Sequence, residues 1–286
     1  MGGHDASCGA ERARFWRDAD LGGTEFLLAR FVSHHFSVHT HDEYAIGLIE
    51  DGVEAYRYRG HDRVAEAGEM VVVEPGEPHT GQAGIPRGWQ YRMFYIPAHA
   101  LAQASEAAGR AGLPHFRTTV VSDPMLAAAM RAMHVASERG EPQLERESRF
   151  AALLTALVER HAEGSLELPR HHAGAPHGVR RAIEMADARY AEALTLGELA
   201  RCAGMSDFHF ARLFAHTTGM SPHRYVVQRR VVEACRLLRN GRPPADIAIR
   251  VGFADQAHLT RHFKRTIGIT PARFARGAPS SGRVKP

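Results

Sequence analysis

Between residues 25 and 97 the apolar positions come in short runs separated by turn signals. EFLLARFV, YAIGLIE, EAYRYRG, MVVVEP and WQYRMFYIP are rich in β-branched and aromatic residues. Glu50-Asp51-Gly52, Arg59-Gly60, Ala67-Gly68, Pro75-Gly76 and Arg87-Gly88 punctuate them. Several short strands at regular spacing predict an antiparallel sandwich or barrel over residues 21–97. After Pro97 the period becomes helical. Helices are predicted at 98–111, 124–139 and 143–163, a helical subdomain of residues 98–163. Asp123 and Pro124 offer the second a capped start. In the third, Phe150, Leu153, Leu154, Leu157 and Val158 recur at helical spacing. That stripe can bury against the β domain or against a second subunit.

Residues 164–178 (GSLELPRHHAGAPHG) have no period and read as a linker. Residues 179–277 are helical throughout, and residues 1–20 and 278–286 are expected to be flexible. The predicted fold class is α+β. An N-terminal antiparallel β-barrel with flanking helices precedes an all-α domain.

The last domain repeats itself. ELARCAGMSDFHFARLFAHTTGMSPHRYV, from Glu198, matches DIAIRVGFADQAHLTRHFKRTIGITPARFA, from Asp246, at an offset of 48 before the turn and 49 after it. Each copy reads as helix, tight turn, helix. Thr195 with Glu198 suits a capping box, Gly204 suits the turn, and Ser206 suits the next cap. Phe210, Leu213 and Phe214 share one side of the second helix, while Phe208, His209 and Arg212 share another. In the second copy Leu259, Phe263 and Ile267 point inward, while Gln256, Ala257, Thr260, Arg261 and Lys264 lie outward. Ser221-Pro222 starts a long helix joining the copies, with a stripe of Val227, Val231, Cys235 and Leu238. A helix-turn-helix places its second helix in the major groove of DNA, where arginine can grip guanine and glutamine adenine. Arg212 and Arg261 are therefore candidate base readers, although a lone surface arginine is more often a salt-bridge partner. Arg224, Arg229, Arg230, Arg236 and Arg265 are candidates for phosphate contact.

Charge supports this division. The 286 residues carry a net charge of +4. Residues 178–286 hold 19 Lys and Arg against 8 Asp and Glu, a net of +11, and the remainder nets −7. A basic third on an acidic remainder suggests a polyanionic partner for one half only. Cys8, Cys202 and Cys235 are far apart, so neither a disulfide framework nor a structural zinc site is expected. The chain has no run of 18 apolar residues and no apolar leader, so no membrane span is expected and a cytoplasmic location fits. Ser/His/Asp triad, P-loop and dinucleotide glycine motifs are lacking.

On these residues, 179–277 resembles the DNA-binding domain of the AraC/XylS family of bacterial transcription regulators. GFADQAHLTRHFKRTIGITPARF is similar to that family's signature. The resemblance implies that Phe208, His209, Ala211 and Arg212 lie on the first reading helix, and Gln256, Ala257, Thr260 and Arg261 on the second. It further implies promoter DNA as a partner, activation through RNA polymerase, and a small-molecule effector.

The β region adds His39-Thr40-His41-Asp42-Glu43, where strand alternation would put His39, His41 and Glu43 on one side. A second segment runs from Gly68 through Glu74 to His79. Three histidines and a carboxylate can ligate Fe, Mn or Zn, and the two segments resemble the motifs of the cupin barrel. In the regulator family such histidines line or brace a ligand pocket without metal, so that reading needs no cofactor. Expected ligand-facing residues are His39, His41, Glu43, Tyr58, Glu74, His79 and Trp89, with Tyr44, Tyr56, Tyr91 and Phe94 as further aromatic candidates. The expected function is an effector-responsive regulator, with homodimerisation open. A metal-dependent cupin enzyme with an accessory basic domain is the alternative.

Overall fold

The computed structural model describes residues 11–166 and 175–277. Two compact units divide the chain. The first holds residues up to His35 and from His41 to Leu166, the second Phe36–Thr40 and the residues from Glu167 onward. Residues 1–10, 167–174 and 278–286, where both expected flexible ends and most of the expected linker fall, lie outside the described residues.

In chain order the strands are β1 (Arg12–Asp18), β2 (Thr24–Phe31), β3 (His35–His39), β4 (Tyr44–Tyr58), β5 (His61–Glu66), β6 (Met70–Val73), β7 (His79–Ala83) and β8 (Trp89–Ile96). Helix α1 (Ala98–Ala107) follows, then the short strands β9 (Leu113–Pro114) and β10 (Val120–Val121). Helices α2 (Pro124–Arg139) and α3 (Gln143–His161) and strand β11 (Ser165–Leu166) come next. The antiparallel order in space is β1-β2-β8-β4-β6-β10. The first half of β4 pairs with β6 and β8, and its second half with β5 and β7.

Two expectations are corrected here. Residues 12–18 are not a flexible end. Arg12 to Asp18 pair in register with Arg30 to Thr24, and Trp16 stacks on Phe26 with ring centroids 5.4 Å apart. The edge strand gains order from a long-range partner that its own short pattern could not reveal. Nor does Glu50-Asp51-Gly52 end a strand. β4 runs through it with a bulge between Ile49 and Asp51, because both flanks keep their ladder to β8. A side chain on Gly52 would meet the Gly88 backbone, which explains the glycine there.

One face of the sheet carries Phe26, Tyr44, Ile46, Leu48, Phe94 and Ile96, which form a core with Leu126, Met130 and the α3 residues Phe150, Leu153, Leu154, Leu157 and Val158. The α3 stripe is thus spent inside its own unit. The opposite face carries Leu27, Ala29, Phe31, Ile49, Trp89 and Tyr91, and each is buried as well. The change of partners along β4, from β6 and β8 to β5 and β7, curls the sheet over this second face. β4 serves as the shared strand of that curl, and the face away from the helices becomes the inner one.

The second unit contains α4 (His177–Arg189), α5 (Leu196–Ala203), α6 (Asp207–Thr218), α7 (Pro222–Arg239), α8 (Pro244–Arg250), α9 (Gln256–Ile267) and α10 (Pro271–Gly277). Thr195 and Glu198 form the expected capping box on α5. Asp123 and Ser221 likewise cap α2 and α7 by accepting from Leu126 N and Arg224 N. Ser206 precedes α6 in an extended conformation, but its side chain makes no capping bond. Val179, Ile183, Leu199, Phe210 and Phe214 close one core around the first repeat. Leu259, Phe263 and Phe274 are buried in the second. At the second turn Gly252 has φ +90°, and an added Cβ would lie 2.5 Å from the Ala191 carbonyl oxygen. Only glycine lets the second repeat approach the α4–α5 connection this closely.

Candidate functional site

The two repeats present equivalent faces. On α6, Phe208 is 91% exposed, and His209 and Arg212 are exposed beside it. Ala211 is half-buried. On α9, Gln256, Ala257, Arg261 and Lys264 are exposed and Thr260 is half-buried. Neither Arg212 nor Arg261 pairs with a carboxylate among the described residues, so the salt-bridge alternative fails for both. The remaining apolar side of each helix anchors it through Phe210 and Phe214, or Leu259 and Phe263, all buried. The outward residues are therefore free to meet a groove.

Arg230, an expected phosphate contact, is turned elsewhere. Its Nε donates to the Tyr190 carbonyl at 2.7 Å and its Nη2 to the Glu192 carbonyl at 2.8 Å. Its guanidinium also lies 5.8 Å from the Phe253 ring centroid. Donors satisfied this way brace α7 against the α4–α5 connection and are not aimed at a passing backbone. Arg229 and Arg236 are paired with Asp187 and Glu233. Arg224 and Arg265 remain. Burial, then the charge of Arg265, holds the Arg224 guanidinium below its ordinary value. His262 is pushed down to about 4 by burial, with His258, Arg265, His223 and Arg261 adding repulsion. Cations gathered this closely favour an anion.

In the first unit the expected ligand-facing residues take different roles. His41 and His79 come together, with ring centroids 5.0 Å apart, and Tyr95 stands 5.0 Å from His41. The pair could supply two ligands to a divalent cation. Burial pushes His79 down to about 4, so it is neutral near pH 7. His39 falls in the 36–40 segment, with a buried ring whose Nδ1 is 2.7 Å from the Ser37 carbonyl. The expected alternation of His39, His41 and Glu43 does not apply, because residues 40–43 bend between β3 and β4 and are not strand.

Glu74 is fully buried and engaged by Arg59, His115 and the Phe116 amide. It clamps the loop after β9, and its oxygens do not face an open space. Tyr58 is buried with its hydroxyl accepting from Glu74 N at 3.4 Å. Trp89 is buried on the inner face, and its indole N–H has no acceptor among the described residues.

Comparison with known proteins fits this division of labour. Residues 21–154 match the AraC-like ligand binding domain, and residues 199–277 match a helix-turn-helix domain. The virulence regulon transcriptional activator VirF of Yersinia enterocolitica is 30% identical over 265 residues, spanning 88% of this chain and 96% of that protein. This chain belongs to the AraC/XylS family of transcriptional regulators.

Two further relatives agree. YbfI of Bacillus subtilis, an uncharacterised helix-turn-helix regulator, is 28% identical across 80% of this chain and 82% of its own. The thermoregulatory protein LcrF of Yersinia pestis is 24% identical across 88% and 96%. Among solved structures, ToxT of Vibrio cholerae shares the fold. Its TM-score is 0.52 at 8% identity, covering 94% of this chain and 98% of that one. The AraC/XylS regulator therefore has a ligand-binding domain and a helix-turn-helix DNA-binding domain. No helix among the described residues is long and apolar enough to cross a membrane.

One inner-face residue went unnoticed in the sequence of this regulator. Glu54 shares a side of β4 with Tyr56, and its carboxyl is pushed up to about 8 by burial. Its position two residues before Tyr56 was the available signal. It was hidden because EDGVEAYRY reads as a turn followed by a polar strand.

Proposed function

We propose that this regulator activates transcription at promoter sites read by α6 and α9 together, under control of a small molecule held by the curled sheet. The observation that carries the reading is the pair of equivalent, carboxylate-free arginines, Arg212 and Arg261, on exposed faces of duplicated units. Phe208, His209 and Ala211 accompany the first, and Gln256, Ala257, Thr260 and Lys264 the second. Arg224 and Arg265 take the place of Arg230 as phosphate contacts. The activator names of VirF relatives support activation, with RNA polymerase as the protein partner.

The match of residues 21–154 to the AraC-like ligand binding domain supports a small-molecule role for the sheet domain, and ToxT has been solved bound to an unsaturated fatty acid. His41, His79 and Trp89 remain its proposed ligand-facing residues, with Glu43 next to them in the chain. The reading needs no enzymatic step and no cofactor, and it places the protein in the cytoplasm. Any homodimer must use a surface other than the α3 stripe, which is buried inside its own unit.

The test is selection of bound sequences from random DNA, followed by gel shifts on the winners. The reading expects a two-part consensus that Arg212→Ala and Arg261→Ala each degrade in a different half. No enrichment at low salt would reject it.

A further inference from the structure

The inner face of the sheet carries a carboxylate that no group among the described residues answers. Strand alternation puts Glu54 on the same side of β4 as Gly52 and Tyr56. Its register partners are Ala65 of β5 and Ala83 of β7, which have no side-chain donor. No hydrogen bond or ion pair to its carboxylate exists among the described residues. The arginines of the surrounding strands are committed elsewhere. Arg59 pairs with Glu74 and Glu77, Arg30 with Asp51, and Arg92 with Glu50 and Glu138. Arg63, opposite Tyr56, is exposed and forms no pair with Glu54. Glu54 is nevertheless half-buried and not sealed, so space the size of solvent reaches it. Burial alone pushes its ionisation up to about 8.

Aromatic rings line the neighbouring strands. Trp89 and Tyr91 stack at 6.0 Å, and Phe31 lies 5.4 Å from Trp89 and 6.1 Å from Tyr91. The Tyr91 hydroxyl is held well above its ordinary value by burial, with Tyr95 and then Glu54 adding to it. No hydrogen bond to that hydroxyl exists among the described residues. A lone carboxylate beside ring faces is costly when empty. It becomes favourable when a cation with an apolar body enters, because the carboxylate gains a counter-ion and the rings gain a cation–π partner.

We propose that the inner face of the sheet binds an organic ammonium ion, with Glu54 as counter-ion and the rings of Phe31, Trp89 and Tyr91 as the apolar wall. This deepens the ligand-domain reading above and rests on it. A carboxylate ligand cannot serve as a counter-ion and would oppose the ionisation of Glu54, so acids are the disfavoured class. Entry of a cation ionises Glu54 and releases its proton. The titratable groups facing Glu54 are Tyr56 on its own strand and Tyr91 on β8, and both stay protonated, because burial raises Tyr56 to about 12 and Tyr91 further.

The experiment uses the full chain and matched probes: 2-phenylethylammonium, 2-phenylethanol and oleate. Thermal shift and calorimetry in two buffers of different protonation enthalpy read binding and proton release. The ammonium probe is expected to raise Tm and release close to one proton at pH 7, and the alcohol to do neither. Glu54→Gln is expected to weaken the ammonium probe by at least about 30-fold. Its own Tm should equal or exceed that of the parent. Glu54→Leu serves should the glutamine variant misfold. The proposal is overturned by a flat response to the ammonium probe, by equal shifts in parent and variant, or by a larger shift with oleate. DNA binding enters none of these readouts. Ammonium binding at Glu54 that left promoter affinity unchanged would count against the effector reading and not against the site.

Discussion

Arg212 and Arg261 differ from Arg230 only in where their donors point, and that difference decides their roles. The first two face solvent without a carboxylate, so each can make a bidentate contact to guanine. Arg212→Ala and Arg261→Ala should each cost about 1–3 kcal/mol on a selected site and little on random DNA. Equal losses on both would show that they touch only phosphate. Arg230→Ala should behave differently. It loses two hydrogen bonds to carbonyls and a ring contact, so it should lower stability by about 1–3 kcal/mol. Its salt slope on DNA should stay that of the parent, whereas Arg265→Ala should flatten the slope by about 1.

Also at this scale, His134 is fully buried among Trp16, Phe26 and Phe94 and accepts from Arg92. Burial, then the Arg92 charge, pushes it down to about 3. The unfolded chain takes up that proton near pH 6.5, while the folded one resists until about 3. The unfolded state therefore binds more protons in that window, and stability falls as pH falls through it. A plot of Tm against pH from 6.5 to 4 should slope downward toward acid. In His134→Gln, which keeps an acceptor for Arg92, the slope should shrink.

At the level of elements, local chemistry and tertiary contact share the decisions unequally. The capping box of α5 is a local device, and Thr195→Ala should cost about 1 kcal/mol in chemical denaturation. The apolar stripe of α3 announced burial, but only packing chose its own unit's core over a second subunit. The bulge in β4 shows the reverse failure. Glu50-Asp51-Gly52 carries every mark of a turn, yet ladder bonds on both sides outweigh that preference. β1 gained its order from β2 and from the Trp16–Phe26 stack, which lie beyond any local window. The turn at Gly252 is set by a neighbour as well, since the Ala191 carbonyl leaves no room for a side chain.

For the whole molecule, duplication has a geometric consequence. Two reading helices joined through α7 can meet successive major-groove segments on one face of DNA, roughly 34 Å apart. A selected site with about 5 extra base pairs between its halves turns one half to the opposite face. Affinity should then drop at least tenfold, toward that of a single unit, and recover with an insertion of about 10. An unchanged affinity at half a turn would mean that the two repeats do not bind together.

What the sequence determined by itself was whatever repeats or alternates: two helix-turn-helix units, a strand-rich region, three flanking helices and the outward position of Arg212 and Arg261. Those follow from spacing, and spacing is written in the chain. Tertiary structure alone decided which polar groups find partners. Arg230 and Glu74 looked equally available as letters, and Glu54 drew no notice. Folding gave Arg230 two carbonyls, surrounded Glu74 with donors and left Glu54 with none among the described residues. Desolvation depends on every atom that closes around a group, and those atoms come from strands and helices far apart in the chain.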